Sequence, residues 1–151
     1  SKKAEMDQKY YLVNSTAEIF VEEIEGKTLI VKNDGNTLEI TDIDGNLVDS
    51  NYLLYDVVVS INNRGTNTSD IDVVSKQINV NSSSQENSVS LNAYFDAKIS
   101  DDNTLTISIR DIETENDPSA YTLRLIFSCD ENKVSDDTTS YRWFIKDIKK
   151  G

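Results

Sequence analysis

The side chains from which a site could be assembled are mostly oxygen acids, amides and hydroxyls. The chain carries 27 aspartates and glutamates and no histidine. Without imidazole it lacks the commonest general base, the commonest metal ligand and the usual partner of a serine or cysteine nucleophile. Its serines show neither a G-x-S-x-G elbow nor an S-x-x-K spacing, since Ser75 and Lys76 are adjacent. Hydrolysis by two carboxylates needs no histidine, but among so many acidic residues nothing selects a pair. No glycine-rich phosphate loop is present. The expectation is a protein that is not an enzyme and has no catalytic residues.

Calcium is the one cofactor the residues invite. Asp42, Asp44 and Asn46 place oxygen ligands at alternate positions, a pattern that can converge on a hard cation. An EF-hand loop needs glycine at its sixth position and glutamate at its twelfth; here Gly45 is fourth and Leu53 falls twelfth. Residues 42–46 therefore read as a hairpin turn. Asp101, Asp102, the acidic stretch 113–117, Asp136 and Asp137 sit in expected loops, where two could meet around calcium, although solvated loops are the default.

Aromatic side chains are the remaining handle. Tyr10, Tyr11, Tyr52, Tyr55, Tyr94, Trp143 and Phe144 could offer a stacking surface for a sugar or a protein partner. Tyr94 lies on a polar strand face between Asn92 and Asp96, with Lys98 beyond. Asn92, Tyr94 and Asp96 are the candidate ligand-binding residues.

The element that must position them is a hairpin at residues 89–112. Val89, Leu91, Ala93, Phe95, Ala97 and Ile99 alternate with polar residues, and Leu105, Ile107 and Ile109 repeat the pattern. A period of two gives a strand one apolar and one wet face. Residues 100–103 suit a tight reversal. The first arm spans about 36 Å, longer than a typical strand, so it must bend, switch sheets or project past the core. Further strands are expected at 17–24, 27–32, 37–43, 52–61, 71–80, 121–129 and 141–148, with 33–36 and 44–46 as turns, 62–70 and 81–88 as polar loops, and 130–140 as a polar loop or a short hairpin end. Val73 and Val74 break the alternation and suggest a bulge. No helical period stands out. About nine short antiparallel strands imply an all-β chain: residues 1–9 as a polar tether and residues 10–151 as a single β-sandwich domain. A lipocalin-like closed β-barrel is the alternative, with small residues such as Ala93 and Ala97 lining a cavity.

Composition narrows the partners. Hydrophobic residues make up 37 %, which suits a thin core. The net charge of −12 disfavours nucleic acid and anionic membrane surfaces. The single cysteine, Cys129, excludes an intrachain disulfide and continues the apolar face of Tyr121, Leu123, Leu125 and Phe127, as a buried small hydrophobe does.

Two stretches resemble known families. Thr104-Leu105-Thr106-Ile107-Ser108 followed by Asp117-Pro118-Ser119-Ala120-Tyr121-Thr122-Leu123 resembles strands E and F of an immunoglobulin-like sandwich. That resemblance implies a corner whose tyrosine, Tyr121, bonds back to the chain. Leu123 stands where one of that family's paired cysteines falls, and Trp143 lies far from where its strand C should be. Ser1-Lys2-Lys3-Ala4-Glu5 resembles the start of a mature bacterial lipoprotein. This implies a lipid anchor upstream of Ser1 as the only membrane attachment and an extracytoplasmic place in the cell envelope or at the cell surface. The expected function is an exported, non-catalytic binding or adhesion module for a protein or carbohydrate ligand. A lipocalin-like small-ligand carrier and a calcium-dependent binding module are the alternatives. The chain is expected as a monomer or as a dimer paired through exposed strand edges.

Overall fold

The structure, a computed structural model, describes residues 2–81, 90–112 and 117–151. Two helices and seven strands follow one another: α1 Lys2–Ile24, β1 Thr28–Asn33, β2 Leu38–Thr41, α2 Leu53–Asn63, β3 Ile71–Asn81, β4 Ser90–Ile99, β5 Leu105–Arg110, β6 Thr122–Lys133 and β7 Thr138–Lys150. The protein is mostly β, and every strand pair is antiparallel.

Two segments expected as strands, 17–24 and 52–61, are helical. In α1 the buried residues are Leu12, Val13, Thr16, Ala17, Phe20 and Ile24. That spacing draws a single stripe at helical period. In α2 the buried residues are Leu53, Leu54, Val57 and Val58, again adjacent pairs four apart. The β-branched run of α2 also satisfies a period of two, so sequence alternation cannot separate the alternatives. Residues 1–9, expected as a tether, lead into the same helix, which starts at Lys2. Lysine, alanine, glutamate, methionine and glutamine are good helix formers, so the polar stretch extends the helix that the apolar stripe anchors. Lys9 Nζ donates to Ser119 O at 3.3 Å and lies 3.8 Å from Asp111. The two reassigned segments account for seven strands, among the described residues, where about nine were expected.

The strands form one sheet in the order β2-β1-β7-β6-β5-β4-β3. An apolar sheet face can be covered by a second sheet or by helices, and here helices do it. Phe20 of α1 meets Phe95 of β4 edge to face at 4.7 Å. Trp143, Phe127, Leu125, Ile107 and Ile109 are fully buried beneath the helical layer, each contributing about 1.5–3 kcal/mol by leaving water. The expected two-sheet sandwich is thus replaced by a sheet-and-helix pair of layers. Nor does the sheet close as a lipocalin-like barrel would, because β2 and β3 remain at opposite ends of the order. It does curl. α2 touches both β3, at one edge, and β1, beside the other. A flat sheet would hold those strands about 24 Å apart, beyond the roughly 16 Å length of an eleven-residue helix.

The hairpin expected at residues 89–112 is present. Ile99 pairs with Leu105 and Tyr94 with Arg110, and the turn between them carries Asn103 at φ 66°. Residue 89 lies outside the described residues. The turn is held from two sides. Arg64, at the C-terminal end of α2, donates to Ser100 O at 2.6 Å and Asp101 O at 2.8 Å. Trp143 Nε1 donates to Asn103 O at 3.3 Å. The ladder slips at residue 73, where the broken alternation predicts a bulge. It slips again on β6 and β7, where Ile126 pairs with Asp147 but Phe127 with Ile145; such bulges sharpen local bending. The segment 130–140, expected as a polar loop or a short hairpin end, is the end of the β6–β7 hairpin: β6 runs to Lys133 and β7 begins at Thr138.

Candidate functional site

Alternation sends every second residue of the central strands away from the helices, and among the described residues no helix packs on that face. Pairing register sets which side chains share it. One row runs Asp96, Ser108, Arg124 and Lys149 across β4, β5, β6 and β7. The next runs Lys98, Thr106, Ile126 and Asp147. Between them, and bordered by the bulged start of β3, is a cleft of about 690 Å³ lined by Asp72, Val73, Val74, Asp96, Lys98, Thr106, Ser108 and Arg124.

Electrostatics differ along this cleft. Asp96 pairs with the Arg110 guanidinium, whose side chain is only 6 % exposed. Lys98 Nζ lies 3.6 Å from Asp72 Oδ1, and both side chains are largely in water; such a pair exchanges readily and contributes at most about 1 kcal/mol. Lys149 lies 4.0 Å from Asp147. Arg124 is exposed, and among the described residues no carboxylate lies within ion-pair distance of it. In a chain of net charge −12 the cleft is locally balanced, with Lys98 and Arg124 against Asp72 and Asp96. Thr106 and Ser108, half-buried on β5, present hydroxyls between the cations of β4 and β6.

All three residues singled out from the sequence share this face. Asp96 lines the cleft. Tyr94, half-buried, stands opposite Arg110, while Asn92, exposed, stands opposite Asn79; both lie farther along β4, outside the cleft lining. Asp72, Thr106, Ser108 and Arg124 belong to the cleft and escaped the sequence reading. Their signal was available in part: Thr106 and Ser108 occupy the wet positions of the second hairpin arm, and Arg124 interrupts Leu123 and Leu125. What brings them together is register, which the sequence does not print.

The remaining aromatics do not form one surface. Tyr10 and Tyr11 sit on α1, and Tyr10 meets Tyr121 edge to face at 4.5 Å. Tyr52 precedes α2, and its hydroxyl donates to Glu23 O. Trp143 is in the core, stacked on Tyr141 at 6.0 Å. Phe144 alone joins Tyr94 on the helix-free side, under the Arg142 guanidinium at 4.8 Å. Tyr121, the corner tyrosine of the immunoglobulin resemblance, has its backbone N–H on Asp111 Oδ1 at 2.7 Å.

Four of the loop aspartates are engaged by nearby backbone N–H and hydroxyl groups. Asp42 Oδ1 accepts from the N–H groups of Asp44 and Asn46, both at 2.9 Å. Asp102 accepts from the Ser100 hydroxyl and from Thr104 N, which lowers its pKa to about 2. Asp117 accepts from Ser119, and Asp137 from Ser135 and Thr138. Among the described residues no three acidic or cysteine side chains cluster as a metal site; residues 113–116 lie outside that description. Burial pushes the Cys129 thiol up to about 12, with Glu131 and Asp130 adding to the shift, so it is a packed side chain and not a nucleophile at neutral pH. No helix among the described residues is long and apolar enough to cross a membrane.

Comparison with protein-family models, with curated proteins and with solved structures finds no match for this chain.

Proposed function

We propose that this chain is a non-catalytic binding module that holds its ligand on the helix-free face of the curled sheet. The observation carrying this reading is the cleft of about 690 Å³. Its volume falls in the usual range of small-ligand sites, roughly 300–1,000 Å³. Its polar groups stand on paired strands, which hold side chains more firmly than loops do. The interior under the helices is filled by Trp143, Phe127 and the aliphatic layer, which favours an outer-face site over an enclosed one. A binding role suits a chain with no histidine and a protonated cysteine. Export to the cell envelope or surface belongs to the proposal. It rests on an Asn-, Asp- and Ser-rich chain with one cysteine.

The test is a screen of the labelled chain on arrays of immobilised glycans and peptides, run beside Ser108→Trp. An indole at that position would fill the cleft from its β5 wall while leaving the apolar face untouched. Far-UV circular dichroism should be unchanged and the ligands bound by the natural chain should be lost. Retention of every ligand by Ser108→Trp would remove the cleft from consideration.

A further inference from the structure

The cleft combines two kinds of polar group, and together they specify a ligand. Lys98 from β4 and Arg124 from β6 flank the Thr106 and Ser108 hydroxyls of β5, the strand between them. Lys98 is tied only to an exposed aspartate at 3.6 Å, and Arg124 has no carboxylate within ion-pair distance among the described residues. Directly opposite Arg124 across the β6–β7 ladder stands a second cation, Lys149. Like charges directly opposed on a sheet are destabilising, and an anion between the strands would relieve them. The guanidinium offers a planar fork matched to a carboxylate.

The β3–β4 side of the cleft, across β5 from Arg124, carries Asp72 and Asp96 together with Lys98. Carboxylates there repel a bare dianion but accept hydrogen bonds from hydroxyl groups. The wanted ligand is therefore anionic at one end and rich in hydroxyls at the other. The lining provides no aromatic platform for a neutral sugar ring, so the charge must supply much of the recognition. We infer that the cleft binds an acidic sugar of the uronate class. Its carboxylate would lie on Arg124 beside the Ser108 hydroxyl, and its ring hydroxyls would face Asp72 and Asp96. This inference rests on the reading of the helix-free face as the binding surface.

The experiment is a titration of the ¹⁵N-labelled chain followed by amide chemical shifts at neutral pH and low salt. The probes are galacturonate, its neutral counterpart galactose, and inorganic phosphate. Galacturonate should give saturable shifts at Lys98, Thr106, Ser108 and Arg124. Galactose should need at least about tenfold more, the usual difference when a charge-assisted pair is lost. Arg124→Gln should reduce galacturonate to the galactose level. Arg142→Gln, which removes a cation stacked on Phe144 away from the cleft, should leave binding intact. Unperturbed amide positions elsewhere will show that the exposed Arg124→Gln variant keeps its fold. Equal binding of galactose and galacturonate, equal binding of phosphate, or unaltered binding by Arg124→Gln would overturn the assignment of a uronate. Absence of saturable shifts with galacturonate would do the same. Shifts centred on another surface, such as Glu22, Glu23 and Lys27 beside α1, would overturn the reading of the face itself.

Discussion

Trp143→Phe probes how the sheet is tied together. Trp143 is fully buried, stacked on Tyr141, and its Nε1 donates to Asn103 O in the β4–β5 turn. Asn103 is itself buried, so a phenyl ring leaves its carbonyl short of a donor and water poorly placed to replace it. Leaving a buried polar group unsatisfied costs about 1–3 kcal/mol. The smaller ring adds a cavity, worth about 1 kcal/mol at this reduction in size. The sum is about 3 kcal/mol, or roughly 6–12 °C in Tm for a domain of this length. Urea unfolding followed by far-UV circular dichroism measures it, since the variant removes the only tryptophan and with it the fluorescence signal. The adjacent Phe144 points to the other face, half-buried under Arg142. Phe144→Leu should cost no more than about 1 kcal/mol, the worth of an exposed cation–π contact. A loss below about 1 kcal/mol for Trp143→Phe would mean that the ring does not bridge β7 to the turn and would refute the reasoning.

Three other outcomes follow. Burial raises the ionisable groups of Cys129, Tyr52 and Tyr141 to about 12. The native state then holds protons that the unfolded chain releases, so stability should fall from about pH 9 toward pH 12, and Cys129 should resist iodoacetamide at pH 8 until urea is added; rapid alkylation of the folded chain would contradict this. The Asp102 carboxyl is lowered to about 2 from 3.8 by its bonds from Ser100 and Thr104. Its contribution is complete above the unfolded value and disappears as pH falls toward 2, so Asp102→Asn should flatten the acid limb of a Tm-against-pH curve between those values. Asn103 adopts a left-handed φ of 66°, so Asn103→Ala should cost about 1–2 kcal/mol more than Asn103→Gly in chemical unfolding, and equal losses would show that the turn relaxes.

How much of this was legible in the sequence depends on which constraint each segment answers to. The β4–β5 hairpin was readable because a strand with one buried face must alternate, and Ala93, Phe95, Ala97, Ile107 and Ile109 do so. The same alternation put Asn92, Tyr94 and Asp96 together on the wet face, where they are. Alternation states that one face is covered and not by what, so helices could replace the expected second sheet. α2 was misread because Leu53, Tyr55, Val57, Val59 and Ile61 satisfy a period of two as well as Leu53, Leu54, Val57 and Val58 satisfy 3.6, and β-branched residues favour the strand reading. The first turns of α1 carry little apolar patterning, and the helix shows itself only from Leu12 onward. Arg124 and Ser108 could be placed on wet faces one strand at a time. Their meeting with Lys98 depends on pairing registers set by turns and bulges far along the chain.

Cysteine accessibility tests the exposed face most directly. In the natural background, where Cys129 stays protonated, Ser108→Cys and Ile107→Cys place thiols one residue apart on opposite sides of β5. The cleft-facing thiol of Ser108→Cys should react with a maleimide in the folded state, because it lines the open cleft. The thiol of Ile107→Cys, fully buried beneath the helices, should stay silent until the chain unfolds. Protection of both positions would mean that a second layer covers the cleft, and the proposed binding face would not exist.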